Sequence, residues 1–253
     1  MDDKLKLICG IPITVDGFEL KPYTIKEIVS IGYSRFMSMI GMLCFDTDYF
    51  LKELRGEDFY MELYEKKHEL KPLEFYLMFS SSEDFKKAFI ESLSLALRID
   101  VDNIYVNVEN RGILITSNED GKLIDGNTYD KIVDVLKYQN GMKSASKDSE
   151  DDENPADDKA KAILDRIKSS RERVNQAKAE EGEGSDIDLF DIISAVSVRS
   201  NSINKLNIND LTIFQLYNEF ARLQNIDAYE NYLKASMVGA KLEGKAPHWS
   251  DKI

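Results

Sequence analysis

Histidine, cysteine and basic residues are the scarce items in this 253-residue chain, and each scarcity excludes something. The two histidines, His68 and His248, stand 180 positions apart, and the two cysteines are Cys9 and Cys44. None of the four has the short paired spacing of a zinc site, so no metal and no cofactor is expected. Two cysteines in a chain this long do not make a disulfide framework, which sets a reducing compartment as the expectation. Both lie among apolar neighbours and read as small core residues. The 33 Lys and Arg against 46 Asp and Glu leave a net charge of −13. A protein that grips nucleic-acid phosphates needs a basic footprint, so no nucleic-acid partner is expected, and an anionic membrane surface is disfavoured as well. No apolar run approaches the roughly 18 residues of a spanning helix. The opening Met1-Asp2-Asp3-Lys4 lacks the basic-then-apolar layout of a secretory signal.

Catalytic signatures are missing too. There is no phosphate loop of the G-x-x-x-x-G-K-S/T kind, no G-x-G-x-x-G after a strand and no G-x-S-x-G elbow. The acidic run Asp148–Glu153 lacks the glycine and closing glutamate of a calcium loop and reads as a solvated tether. The expectation is a protein that is not an enzyme, with no catalytic residue to name.

What is present is a real core. Hydrophobic residues make up 43% and aromatics 10%, enough to exclude wholesale disorder. Short β-rich runs cover Leu5–Cys9 and Ile11–Val15, and Asp16-Gly17 turns the chain into Phe18-Glu19-Leu20, a hairpin signal. Thr24-Ile25-Lys26-Glu27 has capping-box spacing and opens a helix predicted over 24–43, with Ile25, Ile28, Val29, Phe36, Met37, Ile40 and Leu43 on one stripe. Gly32 inside it is expected to serve a close packing contact. Met37, Met39 and Met42 suit either an adaptable groove or the core, and the core is favoured. Helical patterns follow over 48–79, broken near Arg55-Gly56 and Lys71-Pro72, and again from Ser82 through Ala96. A second hairpin is predicted for Ile104–Val108 and Ile113–Thr116, then a helix capped near Asn127 and stopped at Gly141.

Composition shifts at 143. Residues 143–186 carry nine basic and thirteen acidic side chains and almost no large apolar ones before Ile163. Such a stretch reads as a linker, with a possible exposed helix over 155–178 opened by Asn154-Pro155. Trypsin is therefore expected to cut first at Lys143, Lys147 and Lys178. Cleavage elsewhere with these three intact contradicts the linker. From 186 to 253 the pattern is helical, and Asn225-Ile226 is expected to turn a 210–238 helical hairpin. The predicted organisation is α+β and mainly helical: an N-terminal domain over 1–142 with small antiparallel hairpins, an acidic linker over 143–185, and a helical module over 186–253. Phe214, Tyr217, Phe220, Tyr229 and Tyr232 load that module with more aromatic surface than two helices bury, and are the candidate partner-binding residues.

The arrangement resembles the tail assembly chaperone-like proteins of long-tailed phages and prophages of Gram-positive bacteria. The residues that carry the resemblance are Ile11-Pro12-Ile13-Thr14 through Pro22-Tyr23-Thr24-Ile25-Lys26-Glu27-Ile28, then Leu211-Thr212-Ile213-Phe214-Gln215-Leu216-Tyr217 with Ile226-Asp227-Ala228-Tyr229, and His248-Trp249-Ser250. It implies a non-enzymatic chaperone or adaptor in the host cytoplasm that holds the tape-measure protein soluble and brings tail-tube protein to it, with possible self-association. A structural virion protein of the tail or neck fits the same features. An enzyme with an unrecognised site, or a host-directed regulator, is the third reading.

Overall fold

The computed structural model describes residues 2–54, 60–107, 111–116, 121–142, 188–239 and 248–251. The linker 143–185, with its expected helix at 155–178, lies outside them. Within the described residues the chain is α+β, mostly helical, with one two-stranded and one three-stranded antiparallel sheet.

Helix α1 spans Asp2–Ile8 where a strand was expected. The Leu5, Leu7, Cys9 alternation is not a strand face, because Leu7 is buried while Leu5 and Cys9 are exposed. Asp3 near the start and Lys6 in the last turn suit the helix dipole. Exposed Cys9 is thus no core residue, whereas Cys44 is half-buried and its burial pushes the thiol up to about 11.

Strands β1 (Ile13–Val15) and β2 (Phe18–Leu20) form the hairpin that Asp16-Gly17 signals. Ile13, Val15, Phe18 and Leu20 point into the core and Thr14 and Glu19 out. Lys131 and Thr128 both donate to the Asp16 carboxylate and hold it below its usual pKa.

The predicted 24–43 helix is two: α2 (Ile25–Ile31) and α3 (Tyr33–Leu43). Gly32 separates them at φ 97, a conformation side chains other than glycine resist, and a Cβ there would touch nothing. Its role is the break, not a packing contact. Val29, expected on the buried stripe, is exposed as a result. The capping box does form, with Glu27 accepting from the Thr24 amide at 2.8 Å.

Helix α4 (Thr47–Glu53) packs against α5 (Tyr60–Glu65) and α6 (Pro72–Phe79), α6 in turn against α7 (Glu83–Leu97), and α7 packs on α3. Helix α6 is so apolar that Leu73, Phe75, Tyr76 and Leu77 are all buried. His68 lies exposed in the turn between α5 and α6. Phe50, Phe75, Tyr76, Phe89 and Tyr129 build an aromatic centre, with Tyr76 stacked 4.5 Å from Phe89. Two of its hydroxyls find the orphan carbonyls at the end of α3: Tyr76 donates to Met42 and Tyr129 donates to Leu43, the latter at 2.9 Å. Met37 and Met42 pack against this core, as favoured from the sequence, whereas Met39 is half-buried and not among the residues packed on it.

At the far end of α7, Arg98 takes a left-handed C-cap conformation and turns back onto α2. Its guanidinium grips both Glu27 oxygens, at 2.8 and 3.0 Å, and lies 3.7 Å over the Tyr23 ring. Hydrogen bonding from Arg98 holds the Glu27 carboxyl down at about 2. A depressed carboxylate contributes stability above its unfolded pKa, near 4.5, and loses it as pH falls through the folded value. Stability should therefore drop between about pH 5 and 2 by roughly 1–2 kcal/mol, discounted for the partial exposure of Glu27. Acid titration of the melting temperature checks it. Glu27→Gln should flatten that part of the profile.

Strands β3 (Ile104–Asn107), β4 (Gly112–Ile115) and β5 (Lys122–Ile124) form a meander with β4 central. The sequence reading found β3 and β4 but not β5. Gly112 is required where it stands, since a Cβ would sit 2.8 Å from the Ile124 carbonyl oxygen. Helix α8 (Gly126–Gln139) then returns across the core, capped by Asp125 and not by Asn127, with the Thr128 amide 2.8 Å from the Asp125 carboxylate.

Beyond the linker come α9 (Leu189–Arg199) and α10 (Ile213–Met237). The expected 210–238 hairpin does not exist: α10 runs 25 residues straight through Asn225-Ile226. That stretch holds neither glycine nor proline, and asparagine alone is a weak breaker, while Leu223 and Ile226 are anchored in a second core. This core joins Leu189, Ile192, Val196, Ile208, Leu216 and Leu223 to Ile25 of α2. Ile213 belongs to the first core, and the segments before α2 and α10 meet in a bridge at Thr24 and Thr212, with the Ile25 amide 2.8 Å from the Leu211 carbonyl. Both threonines cap their helices by the same box, Thr24 with Glu27 and Thr212 with Gln215.

Candidate interaction surface

The five aromatics singled out on the 210–238 segment divide by their place along α10. Phe214 stacks on Tyr138, 5.7 Å between centroids, and packs against the first core. Tyr217 lies half-buried against both cores, and burial beside Tyr33 pushes its hydroxyl up to about 12. Phe220 packs against the second core. These three are engaged within the chain, so they do not form a free strip. Tyr229 and Tyr232 lie on the distal half, both half-buried.

That distal half is held from one side. Arg199, at the end of α9, donates to Asp227 from Nε at 2.9 Å and to Glu230 from Nη2 at 3.3 Å. Paired acids and opposite-charge guanidinium thus occupy the side facing α9, and both carboxylates raise the Arg199 pKa. On the remaining surface Tyr229, Leu233 and Met237 recur at steps of four, the spacing of one helical face. Leu233, Met237 and Val238 are exposed.

Among the described residues, the apolar side chains more than 70% exposed are Phe190, Val198, Leu206, Met237 and Val238. All five belong to 188–239. In residues 2–142 the largest such value is 61%, at Val29 and Met61. Single exposed apolar residues are ordinary, and the five that exceed 70% all fall in 188–239, which makes that unit the candidate surface. Sequence reasoning missed Arg199, Leu206 and Arg222, none of which carries a periodic signal.

A second feature lies on the other unit. Three adjoining grooves, of about 290, 350 and 380 Å³, run along α6 and α7, the middle one reaching Val106 of β3, and are lined by Leu77, Met78, Lys86, Ile90 and Val101 among others. Acidic and basic side chains border them in mixture, with Lys86 3.8 Å from Glu83 and Arg111 3.8 Å from Glu74. Among the described residues, no three His, Cys, Asp or Glu side chains gather as a metal site, and no helix is long and apolar enough to cross a membrane.

The five most exposed apolar residues fall within a stretch that a known family matches. Residues 177–253 match the family model of the YomV second domain. That family is phage- or prophage-associated, and the match supports a phage origin for the chain. No curated protein and no solved structure matches. The YomV-like unit therefore comprises α9, α10 and the described residues 248–251, together with the second core except for Ile25.

Proposed function

We propose that the chain is a non-enzymatic adaptor of a phage tail module, which presents the apolar surface of its YomV-like unit to a helical client, the tape-measure protein. The observation that carries this reading is the concentration of exposed apolar side chains on 188–239: Phe190 and Val198 on α9, Leu206 between the helices, and Met237 and Val238 at the end of α10. Tyr229, Leu233 and Met237 offer anchors four residues apart, a spacing at which one helix reads another. A net charge of −13 keeps a carrier and its apolar client dispersed in the host cytoplasm. Delivery of tail-tube protein to the same complex completes the role.

Co-expression with the tape-measure protein of the same phage tests it. Leu233→Asp with Met237→Asp places charge on an exposed face, so the melting temperature should hold within about 2 °C. Capture should fall more than tenfold, since anchors in a buried interface are each worth about 1–3 kcal/mol. Full capture by the folded double variant contradicts the assignment of this face.

A further inference from the structure

Arg222 projects from α10 at the near end of that same face, and its Nη1 donates to two backbone carbonyls, Trp249 at 2.6 Å and Asp251 at 2.9 Å. Seven residues on, two turns along the same side, the Tyr229 ring meets the His248 ring edge-on at 5.5 Å. Residues 248–251 are themselves a closed turn. The Asp251 carboxylate accepts from the His248 amide at 2.9 Å, the His248 carbonyl accepts from the Asp251 amide at 3.0 Å, and His248 Nδ1 accepts from the Ser250 amide at 3.2 Å. A preformed turn is therefore seated across Arg222 and Tyr229, and Leu233 and Met237 continue the same face beyond it.

We propose that residues 248–251 form a removable strap over one end of the client face, held shut by Arg222 and displaced when a client helix docks. The inference rests on the client reading of distal α10. Its grip suits removal: the guanidinium holds main-chain carbonyls at an exposed site, where water competes for the same bonds. Trp249, the single tryptophan of the chain, is 51% exposed in the closed strap, so its fluorescence reports the strap directly.

The full chain carries the test. Arg222→Met keeps an unbranched apolar stem and removes the donors. Trp249 emission should shift to the red and acrylamide quenching should rise about twofold. Bis-ANS, as a probe of apolar surface, should bind several-fold more tightly, and Leu233→Asp in the same background should cancel that gain. Asp251→Ala opens the turn without touching α10 and should give the same changes, which keeps the test sound if the Arg222 variant folds poorly. Unaltered Trp249 emission and quenching in both variants overturns the strap. A released Trp249 with unaltered bis-ANS binding overturns its covering role. Adding tape-measure protein to the wild type should reproduce the red shift, and binding without change at Trp249 overturns displacement. Neither optical probe involves the client, so a strap that responds while capture fails in co-expression counts against the client assignment alone.

Discussion

Asn225→Pro should destabilise the chain by about 3 kcal/mol or more, the cost of proline inside a helix. Position 225 is the middle of α10, where proline removes the amide that bonds four residues back and crowds the carbonyl there. The loss should also uncouple Leu223 from Asp227 and Glu230, and with them the Arg199 clamp on α9. Asn225→Ala is the control and should be neutral or stabilising by a few tenths of a kcal/mol, because alanine is the better helix former. Thermal or urea unfolding of both variants reads the result. If Asn225 stood in a turn between two helices, proline there would be tolerated, and a melting temperature unchanged by Asn225→Pro sinks the continuous helix.

Ile25→Ala should cost roughly 2–4 kcal/mol, as deletion of a buried aliphatic side chain does when the site cannot collapse. Ile25 is 1% exposed and is the buried residue that residues 2–142 contribute to the second core, with Tyr33 packed against it from the same side of the chain. The distribution of the loss says more than its size. If the YomV-like unit shares its core with α2, amides of α9 and of the first half of α10 should exchange faster in the variant. If the unit folded by itself, its protection would be untouched and the loss confined to residues 2–142.

Those two residues mark where sequence reasoning reached and where it stopped. The Asp16-Gly17 hairpin and the Thr24–Glu27 capping box were legible because each is a local interaction among a few neighbouring residues. The apolar spacing of α7 and α8 was legible for the same reason. Strand β5 was not, since Lys122-Leu123-Ile124 is three residues long and exists by pairing with β4. Helix α1 was misread because three alternating apolar residues fit a strand and a helix equally well. The continuity of α10 depends on Leu223, Ile226 and Arg199, contacts that no window around Asn225 contains. The candidate site suffered most. The aromatic count on 210–238 was real, but Phe214, Tyr217 and Phe220 are spent against the rest of the chain, and the exposed surface is set by Met237, Val238, Phe190, Val198 and Leu206. Periodicity finds an apolar stripe but cannot say which neighbour covers it.

Amide hydrogen exchange of the full chain, with and without bound tape-measure protein, tests the adaptor reading most directly. The account predicts new protection over about 226–238 and on α9, with Trp249 and its neighbours less protected, and no change in the grooves along α6 and α7. Protection appearing in those grooves at Met78, Val101 and Val106 instead, or nowhere in 188–239, would contradict it.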